Sequence, residues 1–81
     1  MQGTVVRVDL QEGLVAVETK GRRYTVFELL GFYRVAIGDV ISSPFDSLGE
    51  RRLRNETRGE DIVVYMRALN VTLFDVKRLM N

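Results

Sequence analysis

The chain contains no cysteine and no histidine. Without cysteine there is no disulfide framework and no thiolate chemistry, and without histidine a zinc site would rest on carboxylates alone. The same gaps remove the base-activated nucleophiles that triads require. Ser42 and Ser43, beside the single proline Pro44, read as turn residues. Gly31 and Gly38 stand in no phosphate-loop pattern, and two-carboxylate hydrolysis needs a deep cleft that so small a chain seldom forms. No enzymatic activity, cofactor or metal is therefore expected. No apolar run approaches the roughly 18 residues of a membrane helix. Met1-Gln2-Gly3-Thr4 lacks the charged and apolar regions of a secretory signal, so the chain is expected to be cytoplasmic and off the membrane. On that reading the sequons at Asn55-Glu56-Thr57 and Asn70-Val71-Thr72 are chance matches.

What is present suits one small domain. Eighty-one residues leave no room for a second core, and a hydrophobic fraction of 46% excludes gross disorder. The net charge of +1 says little, but ten of the twelve basic residues are arginine, whose planar fork suits phosphate and carboxylate. They gather as Arg22 and Arg23 beside Lys20, and as Arg51, Arg52, Arg54 and Arg58. Glu50, Glu56, Glu60 and Asp61 interleave with the second group, which favours a salt-bridged solvent face there.

Alternation of period two dominates the pattern. It marks strands at about 3–10, 14–19, 22–29, 39–42, 51–56 and 61–69. With Lys20-Gly21 as a two-residue turn, Glu18 would face Arg23, Ala16 Thr25 and Leu14 Phe27, with Val17 opposite Tyr24 and Val15 opposite Val26. Leu29–Arg34 reads as a loop or single helical turn plugging a barrel end. Ile62–Leu69 is apolar on both faces, with Ile62, Val64, Met66 and Ala68 on one side and Val63, Tyr65 and Leu69 on the other, so both need cover. Thr72-Leu73-Phe74-Asp75 has a capping-box pattern. Leu73, Val76, Leu79 and Met80 follow at helical spacing, and a helix over about 72–80 is expected to supply that cover. The expected fold is all-β with a short C-terminal helix: a five- to six-stranded antiparallel barrel over residues 1–81, OB-like or alternatively SH3-like.

Gly3-Thr4-Val5-Val6-Arg7-Val8-Asp9, a glycine-led strand after it, and Ile37-Gly38-Asp39-Val40-Ile41 together resemble the opening half of S1-like and initiation-factor-like OB-fold barrels. The resemblance covers about the first 41 residues. The basic–aromatic motifs of cold-shock proteins are missing, and a terminal helix is not standard for S1-like domains. The resemblance implies weak binding of single-stranded RNA or DNA. The register above would bring Arg7, Arg23, Thr25 and Phe27 to one face, with Arg52 and Arg54 as further phosphate contacts and Phe27 beneath a base. A second reading is a protein-interaction or self-association module, a homodimer included. It rests on the two-sided final strand and on the Phe32-Tyr33 pair in a loop. Arginines on one continuous face with an exposed aromatic would favour nucleic acid, whereas dispersed and paired arginines would favour association.

Overall fold

The computed structural model describes residues 1–80. Its strands are β1 (Gln2–Asp9), β2 (Leu14–Glu18), β3 (Tyr24–Leu29), β4 (Val40–Ser42), β5 (Gly49–Asn55) and β6 (Glu60–Val71), followed by helix α1 (Leu73–Leu79). The six strands close into an antiparallel barrel in the order β1-β2-β3-β6-β5-β4. The fold class follows the expectation, and the barrel is compatible with an OB-like architecture. Closure runs through the short β4, which pairs β1 only at Gln2, Gly3 and Thr4 and β5 only at Arg54 and Asn55.

The interior is filled by alternate side chains from every strand. Val5, Val15, Val17, Phe27, Ile41, Leu53, Ile62, Val64 and Met66 form one core, sealed by Val35 and Phe45 from the long loops. Space is tight: a Cβ on Gly3 would lie 3.0 Å from the Val17 Cγ2 atom and 3.2 Å from the Glu18 carbonyl oxygen. At this point β1 and β2 approach as only glycine permits.

The β2–β3 register differs from the expectation by one residue. Ala16 pairs with Val26, Val17 with Thr25 and Val15 with Phe27. The connection is a three-residue loop, Lys20-Gly21-Arg22, closed by the Thr19 amide donating to the Arg23 carbonyl at 2.7 Å. Its left-handed residues are Gly21 and Arg22, with φ of 73° and 60°, rather than Lys20 and Gly21. Because side chains alternate, the slip exchanges the faces of the third strand. Thr25 and Phe27 point into the barrel, and Tyr24 and Val26 point out.

A second irregularity acts on β6. Val26 pairs with Ala68 but Phe27 with Met66, so Arg67 is an extra residue in the ladder. Beyond this bulge the faces switch. Leu69 packs against the interior core and Ala68 joins the outer cluster, the reverse of simple alternation.

Helix α1 carries the expected capping box: the Asp75 amide donates to the Thr72 hydroxyl, and the Thr72 amide donates to the Asp75 carboxylate. Two hydrogen bonds from Thr72, first from its amide and then from its hydroxyl, hold the Asp75 carboxyl below its ordinary value, with help from the charges of Arg78 and Arg23. The helix buries Val76 and Met80, whereas Leu73, Phe74 and Leu79 stay largely exposed. Beneath it lie Ala16, Tyr24 and Val26, flanked by Val6, Leu14, Ala68 and Val71. It therefore covers the outer face of β1–β3 and only the far end of β6.

Candidate interaction surface

The six residues expected to bind nucleic acid do not form one site. Thr25 is 2% exposed and Phe27 is fully enclosed in the barrel, so Phe27 offers no ring to a base. The cause is the one-residue register slip. Arg7 is half-buried on β1, where a bulge lies between Val5 and Arg7, on the face that α1 covers, and Arg23 is exposed beside the β2–β3 loop. Arg52 and Arg54 point outward from β5, which is separated from β1 by β4 and from β3 by β6.

Much of the arginine charge is already engaged. Arg54 pairs with Asp61 at 3.0 Å. Arg67 pairs with Glu28 and lies 5.1 Å over the ring of Tyr65. The Nε of Arg51 donates to the Ser47 hydroxyl at 2.9 Å, and its Nη1 donates to the Glu50 carbonyl. The outer face of β5–β6 is thus a mixed, internally paired surface, and the arginines are dispersed.

The end of the barrel that holds the β1–β2 turn (10–13), the β3–β4 loop (30–39) and the β5–β6 turn (56–59) is different. Leu10, Phe32 and Ile37 are exposed there by 77%, 110% and 71%, and Leu30 is nearly half exposed. Around these apolar tips, Asp9, Glu12, Glu56 and Glu60 form no ion pair among the described residues. Among the loop cations at this end, Arg58 is paired to Asp39 and Arg34 to nothing described.

The long loop here is held at many points. The Leu29 amide donates to the Gly13 carbonyl and the Leu30 amide to the Val63 carbonyl, at 2.8 and 2.9 Å. Tyr33 and Val35 pack on the interior core on either side of Arg34. Gly31 makes room for the Tyr33 ring, since a Cβ there would lie 3.0 Å from Cε2. Further along, the Gly38 amide donates to the Val5 carbonyl and the Val5 amide to the Asp39 carbonyl, both at 2.8 Å. Phe32 therefore projects from a segment anchored by hydrogen bonds on both flanks and by the packed side chains of Tyr33 and Val35.

Asp39 anchors this end. Its carboxylate is buried and accepts from the Ala36 amide at 3.1 Å, Asn55 Nδ2 at 3.0 Å and Arg58 Nε at 2.7 Å. Burial pushes the Asp39 carboxyl up, but the hydrogen bonds from Asn55, Arg58 and Ala36 and the Arg58 charge outweigh it, leaving the group below its ordinary value. The Gly38-Asp39 corner is visible in the sequence. Its partners, 16 and 19 residues away, carry no local signal that would have found them. Compared with known proteins, the chain matches no family model, no curated protein and no solved structure.

Proposed function

We propose that this protein is a non-enzymatic interaction module that docks a partner protein on its apolar loop end. The observation that carries the reading is Phe32, fully exposed on a loop whose neighbours Tyr33 and Val35 are packed into the core. Packed neighbours on either flank limit the conformations open to this segment and so lower the ordering cost of binding. The surrounding carboxylates indicate the partner's chemistry. An isologous contact between two copies would face this end's carboxylate excess, Asp9, Glu12, Glu56 and Glu60 against the one unpaired cation Arg34 among the described residues, with itself, which disfavours a second copy. A segment that presents apolar side chains flanked by lysine or arginine satisfies both features.

Two amphipathic peptides of equal length test this, one of leucine and lysine and one of leucine and glutamate, titrated into labelled protein. Saturable amide shifts over residues 30–37 with the basic peptide, and none with the acidic one, are expected. Equal response to both would remove the charge argument. Sedimentation showing a dimer that Phe32→Ser dissociates would reassign the surface to self-association.

A second reading, weak single-stranded nucleic-acid binding by an OB-type barrel, keeps one supporting observation. Lys20, Arg22 and Arg23 are exposed together at the β2–β3 loop and form no ion pair among the described residues. With two or three phosphate contacts, the slope of log affinity on log salt would be about −0.7 per contact. Anisotropy with labelled mixed-sequence oligonucleotides at low salt tests it, and absence of binding at tens of micromolar protein would end it.

A further inference from the structure

The opposite end of the barrel carries a feature that neither reading uses. Between the start of β1, the β2–β3 loop, the β4–β5 loop and the end of β6 lies a cavity of about 660 Å³, lined by Met1, Gln2, Thr19, Lys20, Thr25, Phe45 and Asn70. Besides Thr19, whose hydroxyl donates to the Arg23 carbonyl, four of these residues bring side-chain hydrogen-bond donors: the amides of Gln2 and Asn70, the Lys20 ammonium and the Thr25 hydroxyl. None of the four side chains has a hydrogen-bond partner among the described residues. Thr25 is the most telling, because its residue is only 2% exposed and yet no buried side-chain polar atom is left unsatisfied among the described residues. Its hydroxyl must therefore open into the cavity.

The lining is chemically one-sided. Lys20 is the one charged side chain that lines it, and no aspartate or glutamate does; the residues adjacent in sequence carry both signs, Arg22 and Arg23 on one side and Glu18 and Asp46 on the other. Phe45 supplies an apolar wall, held in place because the ring also belongs to the interior core. Asn70 sits in the left-handed region at φ 54°, which asparagine adopts more readily than other residues with a side chain. Barrel mouths with a few convergent polar groups over an apolar wall are a recurrent form of small-molecule site.

We infer that this mouth binds a small organic anion: an oxyanion, phosphate or carboxylate, received by Lys20, Thr25 and Asn70, with a flat apolar group against Phe45. A charge-assisted hydrogen bond from lysine is the strongest single contact such a site can make. The proposal is independent of partner docking, which uses the other end of the molecule.

The test is titration of labelled protein with phenyl phosphate, benzoate and inorganic phosphate, read from the amides of Thr19, Lys20, Thr25, Phe45 and Asn70. Phenyl phosphate or benzoate should shift these amides saturably with a dissociation constant near or below about 1 mM. Inorganic phosphate, which lacks the ring, should bind several-fold more weakly. Comparing the two aromatic probes identifies which oxyanion the site prefers. Lys20→Gln, at an exposed position, should weaken binding about tenfold, and the near-isosteric Thr25→Val should weaken it a few-fold. The variants' own spectra report that the barrel is intact. No saturable shift, binding unaffected by Lys20→Gln, or no preference for an aromatic probe over inorganic phosphate would each overturn the proposal.

Discussion

The two ends of this barrel are built on opposite plans. At one, a ten-residue loop is tied to β1, β5 and β6 around the buried Asp39 carboxylate, and Leu30, Phe32 and Ile37 from that loop with Leu10 from the β1–β2 turn stand exposed among carboxylates. At the other, the β2–β3 loop is polar and basic, the β4–β5 loop is uncharged but for Asp46 and exposes Leu48, and side-chain donors without partners surround an open mouth. The sheet faces between them have less to offer, because α1 covers one and ion pairs between neighbouring side chains occupy another. The difference teaches that a barrel whose interior is filled and whose outer face is covered by one helix leaves much of its loop surface free of packing duties. What the loops carry at either end is then free to differ.

The largest expected effect breaks the apolar end. Asp39→Ala removes the acceptor of three hydrogen bonds and leaves Asn55 buried without its partner. Denaturant unfolding should show a loss of about 3 kcal/mol, and amide protection over 30–39 should fall while the opposite mouth keeps its spectrum. The same group sets a pH dependence. Its folded value lies below the ordinary 3.8, so its contribution is fully present above 3.8 and lost as pH falls through the lower folded value. In Asp39→Asn, acid unfolding should begin from a lower stability and lose this component of its steepness.

A smaller effect is expected at Gly3, where an added Cβ meets Val17 and the Glu18 carbonyl. Gly3→Ala should cost about 1–3 kcal/mol through overpacking. An unchanged thermal midpoint would mean that β1 and β2 can part at this point without penalty. Smaller still is Gly21→Val, at about 1–2 kcal/mol. Its φ of 73° disfavours a side chain although nothing lies within 4 Å of the added atom. Gly21→Asn, which tolerates that conformation better, should recover most of the loss and so isolate the backbone cause.

How much of this was legible in the sequence depended on whether the signal was local. Alternation in Thr4–Asp9 and Leu14–Glu18, the capping box at Thr72–Asp75 and the glycine corner before Asp39 all announce themselves within a few residues. The barrel with its terminal helix followed from them. Register did not, because a two-residue and a three-residue loop both fit Thr19–Arg23, and that choice decides whether Phe27 is a platform or a core residue. The bulge at Arg67 was equally silent, yet it exchanges the faces of Ala68 and Leu69. The expected nucleic-acid face thus depended on the first of these, a register decision that only strand-to-strand packing makes. Phe32 was different: an aromatic pair in a loop was conspicuous in the sequence, and the fold then parted the two, Tyr33 inward and Phe32 outward.

The central claim is that Phe32 serves binding and not folding, and one paired measurement addresses it. Phe32→Ser and the wild-type protein are each unfolded in denaturant and each titrated calorimetrically with the leucine–lysine peptide. Since the ring touches solvent on every side, stability should change by less than about 0.5 kcal/mol, while affinity for the peptide should fall at least tenfold, about 1.4 kcal/mol. A variant that binds as tightly as the wild type, or one that loses stability and affinity together, would contradict the account.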